Sequence, residues 1–212
     1  DEGLAAYFSG PAFLTWQRMA NLRAFGGPLS DRWIDLQAQL QRQILTRYAE
    51  LGLTPVMPAF NGVVPEEMTK IYPDVNFTQL SAWVNFPTQY TQNFMLPPTD
   101  PLFVEIGTKF LQMQEEVWGE VARSHIYNAD TFNENTPSDS SSAYLASASD
   151  AVYKSITAYD AQGVWLMQGW LFVYDPFWND ANIAAYLGGV PDSGMIVLDL
   201  TGDDLPVWQK IS

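Results

Sequence analysis

Val164–Phe172 reads VWLMQGWLF, an apolar run broken only at Gln168 and Gly169. A segment this short and apolar on both alternating faces fits a strand covered on each side, and it is read here as a buried strand. Downstream, a short helix around Ala181 to Leu187 leads to a second such run, Met195–Leu200 (MIVLDL). Upstream, the spacing of Tyr144, Ala148, Val152, Ile156 and Tyr159 predicts a helix. Before it lies the strand-like His125–Asp130 (HIYNAD). Asp100 and Pro101 supply a cap and a first-turn proline for a helix with the face Phe103, Ile106, Phe110, Met113 and Val117, stopping at Gly119. Thr54–Phe60 (TPVMPAF) is a further short strand, with Pro55 and Pro58 at its ends or at bulges. Ser30 or Asp31 caps the first helix, whose stripe is Trp33, Leu36, Leu40, Ile44, Leu45, Tyr48 and Leu51 before Gly52.

Strands thus alternate with helices, which predicts an α/β fold with a parallel sheet and helices outside it. A barrel and an open doubly wound sheet both meet that description. No glycine-rich phosphate turn follows any strand, which disfavours the open sheet. A (β/α)8 TIM barrel takes about 250 residues and eight strands. Four or five strands are legible here, so residues 1–212 are read as one partial TIM-barrel catalytic domain with its last strands missing. Residues 61–98 carry five prolines and form a loop-rich excursion with small elements of its own. The chain opens on Asp1-Glu2-Gly3 without a signal-peptide pattern and is read as a piece of a longer protein.

Composition narrows the chemistry. Ten Lys plus Arg against 24 Asp plus Glu give a net charge of −14, which argues against a nucleic-acid partner bound through its phosphates. No apolar stretch approaches the ~20 residues of a membrane span. There is no Cys and one His, so a thiolate metal site, a cysteine nucleophile and a Ser-His-Asp triad are all disfavoured; no metal or cofactor is expected. The 8 Trp, 10 Tyr and 12 Phe exceed ordinary use. They either fill a large core or line a cleft where sugar C–H faces stack on rings.

The C-terminal ends of barrel strands carry the active site. That rule selects Asn61, Asn133 with Glu134, Gln168 with Trp170, and Asp199. Glu134 follows a strand and precedes a polar loop; a carboxyl shielded there suits a general acid, although position alone equally allows a loop carboxylate with no task. Asp130 is the rival acid, better suited to orienting neighbours or accepting backbone N–H bonds. His125 opens its strand, far from that end, and is read as structural or surface-exposed. Asn76-Phe77-Thr78 is an N-glycosylation sequon, which would put the excursion on the surface of a secreted or lysosomal protein.

Phe8–Asn21 (FSGPAFLTWQRMAN), Thr54–Phe60, His125–Glu134 (HIYNADTFNE) and Val164–Phe172 together resemble the α-N-acetylglucosaminidase family, glycoside hydrolase family 89, in order and spacing. The resemblance implies a (β/α)8-barrel, retaining exo-glycosidase that removes terminal α-linked N-acetylglucosamine from glycans, in animals from heparan sulfate in the lysosome. It puts the general acid/base on Glu134 and makes Asn133 a holder of the sugar. Trp16 and Trp170 match family aromatics that resemble pocket walls. The two carboxyls of such a mechanism stand about 5–5.5 Å apart. The nucleophile expected of the family is a Glu on a later strand past Ser212, and Asp199 does not stand on its motif. The isolated chain is therefore expected to be inactive. A surface of −14 should repel a polyanion such as heparan sulfate, a conflict eased if the pocket takes only a neutral terminal sugar.

Two other readings stay open: a non-catalytic carbohydrate-binding relative that keeps Trp16, Asn133 and Trp170, and a barrel glycosidase of the wider Asn-Glu clan with another sugar specificity. Oligomeric state is not legible in the sequence.

Overall fold

The computed structural model describes residues 30–80, 82, 87–91, 93–132, 135–200, 202, 204 and 208–211. Helix α1 spans Asp31–Glu50; the Ser30 hydroxyl caps it by accepting the Trp33 N–H, and Gly52 leaves it with φ at 70°. Strand β1, Met57–Pro58, comes next. The excursion forms an antiparallel sheet of its own from β2 (Val63–Val64), β3 (Thr78–Gln79) and β4 (Phe94–Met95), in the order β2-β4-β3. Gly62 starts it at φ 95°, where a Cβ would stand 2.6 Å from the Met95 sulfur and 2.8 Å from the Phe103 ring. Only glycine satisfies both the left-handed backbone and that contact.

Helix α2, Pro101–Trp118, is capped by the Asp100 carboxylate and ends at Gly119. Strand β5 (Ile126–Asn128), helix α3 (Ser142–Thr157), strand β6 (Val164–Gln168), helix α4 (Asp180–Leu187) and strand β7 (Met195–Leu198) follow in turn. The main sheet is parallel throughout and ordered β1-β5-β6-β7, so each strand lies beside the one before it. Parallel strands added in one direction, each after a helical crossover, form an arc of a (β/α)8 barrel. No helix among the described residues is long and apolar enough to cross a membrane.

The sheet has two unlike faces. Met57, Tyr127, Trp165 and Met167 point towards the helices and are buried. The alternating set, Pro58, Asn128, Leu166 and Gln168, is half-buried, and Ile196 and Leu198 are 43% and 37% exposed. This second face is the concave interior of the arc. Behind the sheet, Phe132, Trp165, Phe172, Phe177, Trp178 and Tyr186 form a chain of ring contacts with centroids 5.1–6.2 Å apart. Much of the aromatic surplus therefore fills core.

Three readings of the sequence need correction. The VWLMQGWLF strand ends at Gln168, because Gly169 turns the chain into a short helix over Leu171–Tyr174. The buried line of α2 is Phe103, Gly107, Leu111 and Gln114, while Phe110, Met113 and Val117 are exposed. The reason is the crossing with α3: a Cβ on Gly107 would lie 2.5 Å from the Ser155 Cβ, so small residues set the contact line. On α1 only Leu45 is fully buried; Leu36 and Leu40 remain about half exposed, at 50% and 48%. Another face of α1, through Trp33, Gln37, Ile44 and Tyr48, lines a groove of about 660 Å³ closed by residues 55–58 and Val117–Trp118.

Candidate active site

At the C-terminal ends of the parallel strands the concave face opens into a cleft of about 290 Å³. Its polar groups are Asn61, Asn128, Asp130 and Gln168, and Pro58, Leu166 and Leu198 form the apolar floor and wall. Asn61 is held by its own turn, its side-chain oxygen accepting the Val63 N–H at 3.1 Å. Asp130 Oδ1 accepts the Gln168 backbone N–H at 2.9 Å and lies 3.4 Å from the Asn128 amide nitrogen. Burial pushes the Asp130 carboxyl above its ordinary range, and these two donors work against that shift. Gln168 in turn accepts the Trp170 indole N–H at 3.1 Å on its side-chain oxygen. Trp170 is half-buried at this rim and meets the Tyr174 ring edge-on at 5.3 Å.

The structure thus brings together Asn61, Asp130, Gln168 and Trp170. Asn133, Glu134 and Trp16 lie outside the described residues. Phe132 is buried among the rings behind the sheet, and Thr136 donates its hydroxyl to Asp175, at 2.7 Å, in the loop after β6. Asp199 does not line the cleft; its Oδ2 accepts the Trp208 N–H at 3.2 Å. Among the described residues, no group of three His, Cys, Asp or Glu is placed to hold a metal ion.

Asn128 escaped the sequence reading. Its amide donates to the Leu166 carbonyl at 3.0 Å and so joins β5 to β6 within the cleft. The available signal was a polar residue two positions before Asp130, on the same face of an otherwise apolar strand. His125 is structural, as expected. It adopts φ 61° at the opposite end of the sheet, and its Nδ1 lies 2.7 Å from Asp160 Oδ2. Asn76 and Thr78 of the sequon are both exposed.

The alpha-N-acetylglucosaminidase (NAGLU) tim-barrel domain family model matches residues 1–212. Human alpha-N-acetylglucosaminidase is 46% identical over 205 residues, covering 96% of this chain and 27% of the human protein. A family 89 glycoside hydrolase from Clostridium perfringens, solved with 2-acetamido-1,2-dideoxynojirmycin, superposes with a TM-score of 0.83 at 25% identity. That match covers 100% of this chain and 23% of the bacterial one. A C. perfringens structure holding the substrate GlcNAc-alpha-1,4-galactose gives a TM-score of 0.83 at 24% identity, over 99% of this chain and 23% of that one, and supports the fold alone. The chain spans about a quarter of the length of these relatives.

Proposed function

This chain belongs to the alpha-N-acetylglucosaminidase tim-barrel domain family, and from that premise we propose that it supplies the acid/base side of the active site in a retaining exo-glycosidase. The protein containing it releases terminal α-linked N-acetylglucosamine from glycans. The observation that carries this reading is the cleft at the C-terminal ends of four consecutive parallel strands. Its amide and carboxylate groups, with an indole at the rim, are suited to sugar hydroxyls and ring faces.

In this mechanism Glu134 donates a proton to the glycosidic oxygen as the bond to the anomeric carbon breaks, while a second carboxylate attacks that carbon. Glu134 then takes a proton from water, which releases the sugar with its configuration retained. Asn133 holds the sugar beside the acid, and Trp16 and Trp170 are the aromatic walls. Asp130 is the one carboxylate lining the cleft among the described residues, and its Oδ1 is already committed to the Gln168 N–H. We therefore assign no nucleophile among the described residues and expect the isolated 212 residues to show no turnover.

Heparan sulfate is the proposed natural glycan, entered from its neutral terminal sugar, and a lysosomal or secreted location is proposed with it. The exposed Asn76 is the proposed glycan acceptor. The deciding experiment is Glu134→Gln in the complete protein. Activity on alkyl α-N-acetylglucosaminides should fall by about 10²–10⁴-fold, the usual worth of general acid–base help. Aryl substrates with strongly activated leaving groups should be cleaved with much less loss in the first step. Ordinary activity on the alkyl substrates would remove Glu134 from the role.

A further inference from the structure

Strands β5 and β6 pair in parallel register as far as Asn128 opposite Leu166, and the Ala129 N–H still donates to the Leu166 carbonyl. The next rung of such a ladder runs from the Gln168 N–H to the Ala129 carbonyl. Here the Ala129 carbonyl accepts the Trp165 indole N–H at 2.7 Å instead. The Gln168 N–H goes at 2.9 Å to the Asp130 carboxylate. A side chain has taken over a backbone rung at the point where β5 gives way to the loop after it. The same Gln168 holds the Trp170 indole through its side-chain oxygen, so Asp130, Gln168 and Trp170 form one chain along the rim.

We infer that Asp130 is a positioning residue for glycoside cleavage: its carboxylate ends the β5 ladder, sets where Thr131 and Phe132 leave the sheet, and aligns Gln168 and Trp170 on the opposite rim. The inference rests on the proposed function. The Gln168 N–H thus keeps an acceptor at 2.9 Å, the same length as the backbone rung from the Val164 N–H to the His125 carbonyl, and Thr131 and Phe132, which lead towards Asn133 and Glu134, start from a fixed point. Proton transfer to a leaving oxygen is sensitive to such placement, since a misplacement of about 1 Å costs on the order of 10²-fold in rate.

The test uses the complete protein with two α-N-acetylglucosaminides, one alkyl and one aryl with a strongly activated leaving group. Asp130→Ala should lower kcat on the alkyl substrate by about 10–100-fold and on the activated one by only a few-fold. Asp130→Asn keeps an acceptor oxygen in place and should recover most of the loss. Asp130→Glu keeps the charge but moves the carboxylate by a methylene, and should be impaired like the alanine variant. If Asp130→Ala does not fold, the contrast between the Asn and Glu variants decides. Equal losses on both substrates, or an Asn variant no better than Glu, would overturn the inference. A wild-type protein inactive on both substrates would instead sink the proposed function.

Discussion

Asp160 sits at the opposite end of the sheet from the cleft, 5% exposed, with three donors on its two oxygens. Oδ2 accepts the Tyr127 hydroxyl at 2.8 Å and lies 2.7 Å from His125 Nδ1; Oδ1 accepts the Gln162 N–H at 3.1 Å. Burial pushes its carboxyl upward, but the Tyr127 hydroxyl, the Gln162 N–H and His125 together outweigh it and hold the carboxyl below its usual range. A carboxyl depressed in the folded state contributes stability that is present above the unfolded value of about 3.9 and lost as pH falls through the folded value. Asp160→Asn in the complete protein should therefore cost about 1–3 kcal/mol near neutrality. The gap to wild type should begin to narrow as pH falls below about 4. Thermal unfolding at several pH values reads this directly; a gap that stays constant down to pH 3 would refute it. The site residues have a different history. Asn61, Asp130 and Gln168 could be read from the rule that strand ends carry the chemistry. Asn128 offers only the signal of a polar residue on the face of Asp130 in an apolar strand, and its role as a tie between strands follows only once the Leu166 carbonyl lies beside it. The role proposed for Glu134 rests on the family motif alone.

Helices and strands were legible to the extent that their own residues decide them. Ser30, Asp100 and Gly119 mark helix ends by local chemistry, and those ends lie where the capping pattern puts them. The facing of α2 was not legible, because it depends on a partner. Apolar spacing favoured Ile106, Phe110 and Met113, whereas the crossing with α3 selected the line through Gly107, which admits the Ser155 Cβ. Gly107→Ala should thus destabilise by about 1–3 kcal/mol through overpacking, despite alanine's better helix propensity. Adding Ser155→Gly should recover part of that loss, since the two sites couple through one contact. Denaturant unfolding of the single and double variants measures the coupling; strict additivity would show that the crossing is not what selects the line. The end of β6 was misread for a related reason. Apolar residues continue to Phe172, but Gly169 releases the chain, and Leu171 and Phe172 reach the core from a helical turn.

Across the molecule, the helix-covered face of the sheet is sealed, while the concave face presents Leu166, Ile196 and Leu198. The groove beside α1 adds Ile34, Val56 and Val117, exposed at 48%, 45% and 45%. Apolar surface of this kind calls for a cover. The isolated chain should bind an apolar dye more strongly, mole for mole, than the complete protein, and should associate as salt screens its −14 charge. Dye fluorescence and light scattering against ionic strength test this; a silent, monodisperse chain would contradict it. The strand order β1-β5-β6-β7 has a consequence for synthesis. Each strand of the main sheet after the first docks on one that has already left the ribosome, so the sheet can grow at one edge as the chain emerges. The Asp130 rung can close once Gln168 has emerged, so the chain leaving β5 is tied to β6 at its root before β7 is free to dock.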